Sequence, residues 1–254
     1  MAWRFALCAG GLSYLLLVGN GGAENADFDP RANPPPNPDL VQRGAFVFLD
    51  PRLSPPADRA CATCHPGGGS DGKLYRAGEP VAPGTPGARR TPSLRGAGES
   101  SPYFWDGSAE GLRGAVERML RIEMRGASPP GYDVDALEAY VRSLPRFDRG
   151  RVRPNGTPTE PVRLSARRGL DVFRSSGCVD CHPPPAYLDR RSHDVGTGGR
   201  YDTPTLRGVG EMKTLGHDGR WKSLAEAVDA MLISAGVSLS PEQRQQLLDY
   251  LALL

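Results

Sequence analysis

Aromatic side chains are scarce: Phe, Tyr and Trp make up 7% of the 254 residues, which is little ordinary material for a packed core. Lysine occurs only at Lys73, Lys213 and Lys222. An excess of one charge is also missing, with 31 basic against 29 acidic side chains. No electrostatic footprint for nucleic acid or an anionic membrane results. The longest apolar stretch, Phe5 to Val18, holds 14 residues, short of the ~20 that span a bilayer as a helix. A multi-pass membrane protein is excluded, and no permanent anchor is expected. The balance of 39% hydrophobic and 24% charged residues equally excludes a collagen and a charged disordered chain, leaving one or two globular domains.

What the chain has in quantity is glycine (32) and proline (25), so loops are abundant. Residues 1–23 read as a secretory signal: Arg4, the apolar stretch, then Gly19-Asn20-Gly21-Gly22-Ala23 with cleavage expected after Ala23. Cys8 lies inside that stretch and leaves with it. Residues 24–38 form a proline-rich lead-in, and the protein is expected in the periplasm or outside the cell.

The remaining four cysteines stand as Cys61-Ala62-Thr63-Cys64-His65 and Cys178-Val179-Asp180-Cys181-His182. Export permits two disulfides, but each pentapeptide is the C-x-x-C-H pattern of covalent haem c attachment. Positions i, i+3 and i+4 share one helical face, so two thiols reach the porphyrin vinyl groups while the histidine reaches iron. A zinc ribbon also pairs C-x-x-C motifs, at ~15–20 residues, whereas 113 residues lie between Cys64 and Cys178. Two haems c are the expected cofactors.

Thr91 to Met119 aligns without gaps on Thr203 to Met231, with 13 identities in 29 positions. Arg43-Gly44 and Phe48 precede the first motif as Arg168-Gly169 and Phe173 precede the second, and Tyr140 corresponds to Tyr250. The expected fold is all-α and loop-rich, two tandem cytochrome c-like domains from an internal duplication. Their bounds are 39–147 and 162–254, with a linker at 148–161. Each reads as helix, haem motif, Gly/Pro loop and two further helices, with almost no strand pattern. Capping boxes are expected at Ser240 with Gln243 and at Ser223 with Glu226, and Leu247, Leu248, Leu251 and Leu254 mark an apolar face.

Leu112, Ala115, Val116, Met119 and Leu120 form an i, i+3, i+4, i+7, i+8 stripe that Leu224, Ala227, Val228, Met231 and Leu232 repeat. A methionine on such a stripe fills core or ligates; Met119 and Met231 are the candidate sixth ligands, with Met124 in reserve. His/Met coordination is that of an electron carrier. His193 and His217 are alternative ligands of the second haem. Arg95 and Arg207, at equivalent positions, are candidate partners of haem propionates.

The two haem motifs, the Thr-Pro-Ser/Thr-Leu-Arg-Gly segments, Ser101-Pro102-Tyr103-Phe104-Trp105-Asp106-Gly107 and His217-Asp218-Gly219 followed by Met231 resemble the bacterial di-haem cytochrome c peroxidase superfamily, including its MauG-type enzymes. The resemblance implies a C-terminal donor haem ligated by Met231 and an N-terminal haem where peroxide reacts. It also implies a tryptophan between the haems at Trp105 and an acid–base glutamate at Glu123. The family's distal histidine on the first haem has no counterpart, since no histidine lies between His65 and His182. Met212, Lys213 and Thr214 replace the family's Thr-Ala-Pro near its calcium, so calcium is not expected. The sequence reading is therefore a di-haem carrier moving electrons between small redox proteins or to a redox enzyme. The alternatives are a peroxidase-type enzyme, reducing hydrogen peroxide at haem 1 with electrons from haem 2, and a haem-bearing subunit docked on a larger redox enzyme.

Overall fold

The computed structural model describes residues 36–126 and 131–254; the expected signal and most of the lead-in lie outside them. Its elements run α1 (Pro38–Phe48), α2 (Cys61–Cys64), β1 (Leu74–Arg76), β2 (Glu79–Pro80), β3 (Arg89–Arg90), α3 (Leu112–Ile122) and α4 (Gly131–Ser143). They continue with α5 (Leu164–Ser175), α6 (Cys178–Cys181), β4 (Ser192–Asp194), β5 (Arg200–Asp202), α7 (Leu224–Ala235) and α8 (Pro241–Leu251). The architecture is mostly helical and rich in loops.

Two helix crossings carry the fold. α1 packs on α4 and α5 packs on α8, each through a glycine. A Cβ at Gly44 would lie 2.0 Å from the Ala136 carbonyl oxygen, and one at Gly169 would lie 2.0 Å from that of Gln246. Phe48 then tilts against Tyr140 with ring centroids 5.0 Å apart, and Phe173 against Tyr250 at 5.4 Å. Separate apolar clusters surround the two pairs.

Helix starts follow local chemistry. Asn37 accepts from the Asp39 N–H at 2.8 Å ahead of Pro38, and Ser240 and Gln243 close a reciprocal capping box. At Ser223 the hydroxyl accepts from the Glu226 N–H, but the Glu226 carboxylate accepts from Lys222 rather than from Ser223. Leu247, Leu251 and Leu254 are buried as the apolar face required.

The sequence pattern missed the strands. They are two or three residues each: β1 pairs antiparallel with β2 and β3, and β4 pairs with β5. Such segments are too short to show a period of two. The segment 148–161 also differs from a bare tether. It folds back on itself, with Arg153 N–H donating to Thr157 and Thr159 N–H to Arg151. Val152 is buried in the second apolar cluster, and the Gly156 carbonyl accepts from the Tyr250 hydroxyl at 2.9 Å.

Where the halves meet, corresponding positions make reciprocal bonds. Arg90 N–H donates to the His217 carbonyl (2.7 Å) and Asp202 N–H donates to the Trp105 carbonyl (2.8 Å). Under the 112-residue offset of the alignment, Arg90 matches Asp202 and Trp105 matches His217.

Candidate functional site

Each C-x-x-C segment forms one helical turn followed by its histidine. The four thiols are free. Burial pushes the Cys61 thiol up to about 12, and burial raises Cys64, Cys178 and Cys181 as well, so all four stand as neutral thiols.

His65 is 8% exposed, and its Nδ1 lies 3.1 Å from the Gly69 carbonyl; the His182 Nδ1 lies 2.9 Å from the Tyr187 carbonyl. Burial lowers both imidazoles from their ordinary value, so each ring is neutral. A neutral ring beside a carbonyl keeps its proton on Nδ1 and leaves the Nε2 lone pair as the metal donor. The donor set fits a thioether-bound, histidine-ligated haem in both halves.

Beside the first motif opens a cavity of ≈ 310 Å³ lined by Cys61, Cys64 and His65 on one side and by Trp105, Met119, Glu123 and Met124 on others. Met124 is buried in the first apolar cluster, whereas Met119 and Glu123 are half-buried. Glu123 caps the C-terminus of α3, its N–H donating to the Met119 carbonyl at 3.0 Å. Gly78 presses on that cap: a Cβ there would sit 2.0 Å from the Glu123 carbonyl oxygen. Among the described residues no donor reaches the Glu123 carboxylate.

Trp105 donates from Nε1 to the Arg90 carbonyl at 2.8 Å, and it lines both this cavity and a second one between the halves. Arg95 is exposed at the second cavity. Arg207 is buried there, donating to the Pro185 carbonyl (2.7 Å) and the Phe147 carbonyl (3.3 Å). Met231 is half-buried on α7, beside buried Val228 and Leu232. His193 is engaged by Asp189 at 2.7 Å, within 4.8 Å of the Cys181 sulfur. His217 is buried and stacked on Tyr201.

Sequence reasoning missed Arg90. Arg90 is 6% exposed and lines both cavities, and among the described residues its guanidinium donates to the Gly216 and Thr91 carbonyls. An arginine keeps its charge when buried, so a fixed cation stands at the junction. The one available signal was its place before Thr91-Pro92, where the second half has Asp202.

Asp202 is the electrostatic converse. Burial, with the neighbouring Asp189 charge, pushes its carboxyl up to about 7, and among the described residues its Oδ1 has no hydrogen-bond partner. The folded value lies above the unfolded one, so the folded state binds the extra proton between roughly pH 4 and 7. Stability is fullest below that window and is lost as pH rises through it. Asp202→Asn is therefore expected to stabilise the protein at pH 8 by about 1–2 kcal/mol, after discounting for partial solvation. Urea unfolding at pH 5 and pH 8 checks this: the gain shrinks at the lower pH, and an equal gain at both rejects the assignment.

Residues 38–149 match the family described as di-haem cytochrome c peroxidase. The chain is 28% identical to the methylamine utilization protein MauG of Methylorubrum extorquens over 79% of its own length and 70% of that protein's. It is 24% identical to the cytochrome c551 peroxidase of Nitrosomonas europaea over 82% and 78%. The superfamily that these matches support for the chain is that of the di-haem cytochrome c peroxidases and MauG. As in that superfamily, two c-type haems are its cofactors, and its activity is redox. Among solved structures, a Kuenenia stuttgartiensis hydrazine synthase chain matches the fold with a TM-score of 0.72 at 20% identity, covering all of both chains. The di-haem peroxidase BthA of Burkholderia thailandensis matches at 0.67 and 20%, covering 89% of this chain and 88% of that one. No helix among the described residues is long and apolar enough to cross a membrane.

Proposed function

We propose that this superfamily member is an exported peroxidase-type oxidoreductase that reduces hydrogen peroxide at the haem held by Cys61, Cys64 and His65. Electrons reach it from the haem held by Cys178, Cys181 and His182, which small redox proteins recharge. The observation that carries this reading is Glu123, which lines the cavity that His65 also lines and whose carboxylate no donor among the described residues reaches. It exchanges the order of the two readings of the sequence, because an acid lining that cavity has no task in an electron carrier.

When bound, each haem supplies an iron that exchanges single electrons, tuned by its axial ligands. The chain's residues do the rest. His65 and His182 stay neutral and oriented through the Gly69 and Tyr187 carbonyls. Glu123 takes a proton from one peroxide oxygen and returns it to the other as the O–O bond breaks. Overall, peroxide, two electrons and two protons give two waters. Met231 is the proposed sixth ligand of the second haem, Arg207 and Arg95 the proposed propionate partners, and Trp105 the proposed link between the haems. The matched glycine crossings at Gly44 and Gly169 and the reciprocal bonds at the junction support two tandem domains of duplicated origin.

Met119 favours a second reading. It lines the same cavity, and a thioether on that iron makes the protein a six-coordinate carrier. The resting spin state separates the two. Peroxide chemistry requires a high-spin ferric fraction that peroxide consumes, unchanged in Met119→Ala. A wholly low-spin protein that turns high-spin in Met119→Ala establishes the carrier instead.

A further inference from the structure

We propose that, beside the route through the second haem, Trp105, His217 and Tyr201 form an aromatic conduit along which electrons pass between the surface at the β4–β5 hairpin and the haem-1 cavity. The His217 ring stacks on Tyr201 with centroids 3.7 Å apart and planes at 18°. It also meets Trp105 in a T-shaped contact with centroids 6.3 Å apart. Tyr201, on β5, is half-exposed, His217 is 7% exposed, and Trp105 lines the haem-1 cavity. Three rings thus lead from solvent to the cavity wall.

The main chain braces this row. The Arg90 N–H donates to the His217 carbonyl, and the Arg90 carbonyl accepts from the Trp105 indole N–H. Asp202, next to Tyr201, gives its N–H to the Trp105 carbonyl. One short stretch of each half therefore bonds the main chain that carries a ring of the other.

Charge decides how the row works. The Arg90 guanidinium lies 5.4 Å from the Trp105 ring centre and the Arg89 guanidinium 5.5 Å from that of Tyr201. A cation over an aromatic face is favourable with the neutral ring and opposes positive charge on it. Neither end ring is a resting place for an oxidising equivalent; both act as a bridge. In each passage a reduced one-electron carrier at the surface loses one electron and a ferric haem gains it. No ring changes oxidation state and no proton is released.

This rests on the proposed redox function but not on peroxide being the acceptor, so the test uses no peroxide. A ruthenium polypyridine photosensitiser is attached to a cysteine introduced by Arg200→Cys in the haem-loaded protein, with the higher-potential haem reduced beforehand. A flash injects an electron, and transient absorption follows reduction of the remaining ferric haem. His217→Leu and Tyr201→Ala are expected to slow it roughly tenfold, while His217→Phe and Tyr201→Phe retain the rate because the rings remain. Equal rates in His217→Leu and the parent overturn the conduit. If His217→Leu does not mature, Tyr201→Ala against Tyr201→Phe decides in the same way. Loss of peroxide turnover with the conduit intact rejects only the peroxidatic reading.

Discussion

Glu123→Gln is expected to lower peroxide turnover by about 10²- to 10⁴-fold, the range over which a positioned acid–base group acts. The substitution keeps the size and hydrogen-bonding reach of the side chain but removes its capacity to accept and return a proton. Because Glu123 caps α3 through its backbone N–H, the amide leaves the helix end intact, and haem content and resting spectrum should not change. The loss should fall on the reaction with peroxide rather than on electron delivery, so stopped-flow mixing of the half-reduced protein with peroxide is the direct measurement. Turnover within a few-fold of the parent sinks the assignment. The neighbouring control is Met124→Leu: Met124 is buried in the first cluster, so a volume-conserving change there should cost less than about 1.5 kcal/mol.

Gly169→Ala is expected to destabilise the second half by about 3 kcal/mol or more. The added Cβ falls 2.0 Å from a helical carbonyl oxygen and 2.7 Å from the Tyr250 Cβ. Neither can retreat as the tip of a flexible side chain would. α5 and α8 must separate, which loosens the contact between Phe173 and Tyr250 and the hydroxyl pair of Tyr187 and Tyr250 at 3.0 Å. Thermal unfolding of the haem-loaded protein should shift down by about 10 °C for a chain of this size. Gly114→Ala in α3 meets nothing within 4 Å and should be neutral or slightly stabilising. Equal effects at the two positions reject close approach as the reason.

The part of this fold that was legible in the sequence is the part set by local spacing. C-x-x-C-H fixes three bonds within five residues, and the apolar stripe that includes Met119 placed that side chain toward a core that proved to be a cavity wall. Gly44 and Gly169 were visible as repeat identities, although their task, the close crossing of two helices, depends on partners 92 and 77 residues further on. The strands were invisible because two or three residues carry no period. Arg90 was invisible for a different reason: an arginine reads as surface by default, and only the meeting of the halves encloses it. His217 was weighed as an iron ligand because sequence ranks histidines by chemistry. Its packing between Tyr201 and Trp105 follows from contacts across the junction, which no local pattern encodes.

The segment between the halves sets where the polypeptide can be divided. Its glycine- and arginine-rich composition invites a cut at Val162, yet Val152 is part of the downstream apolar cluster and the Gly156 carbonyl is the acceptor for the Tyr250 hydroxyl. A fragment starting at Val162 would take the Gly156 acceptor from that phenol and leave it the Tyr187 hydroxyl, whereas one starting at Asp148 would retain both the acceptor and Val152. The functional border of the C-terminal unit thus lies upstream of the stretch that composition alone would discard.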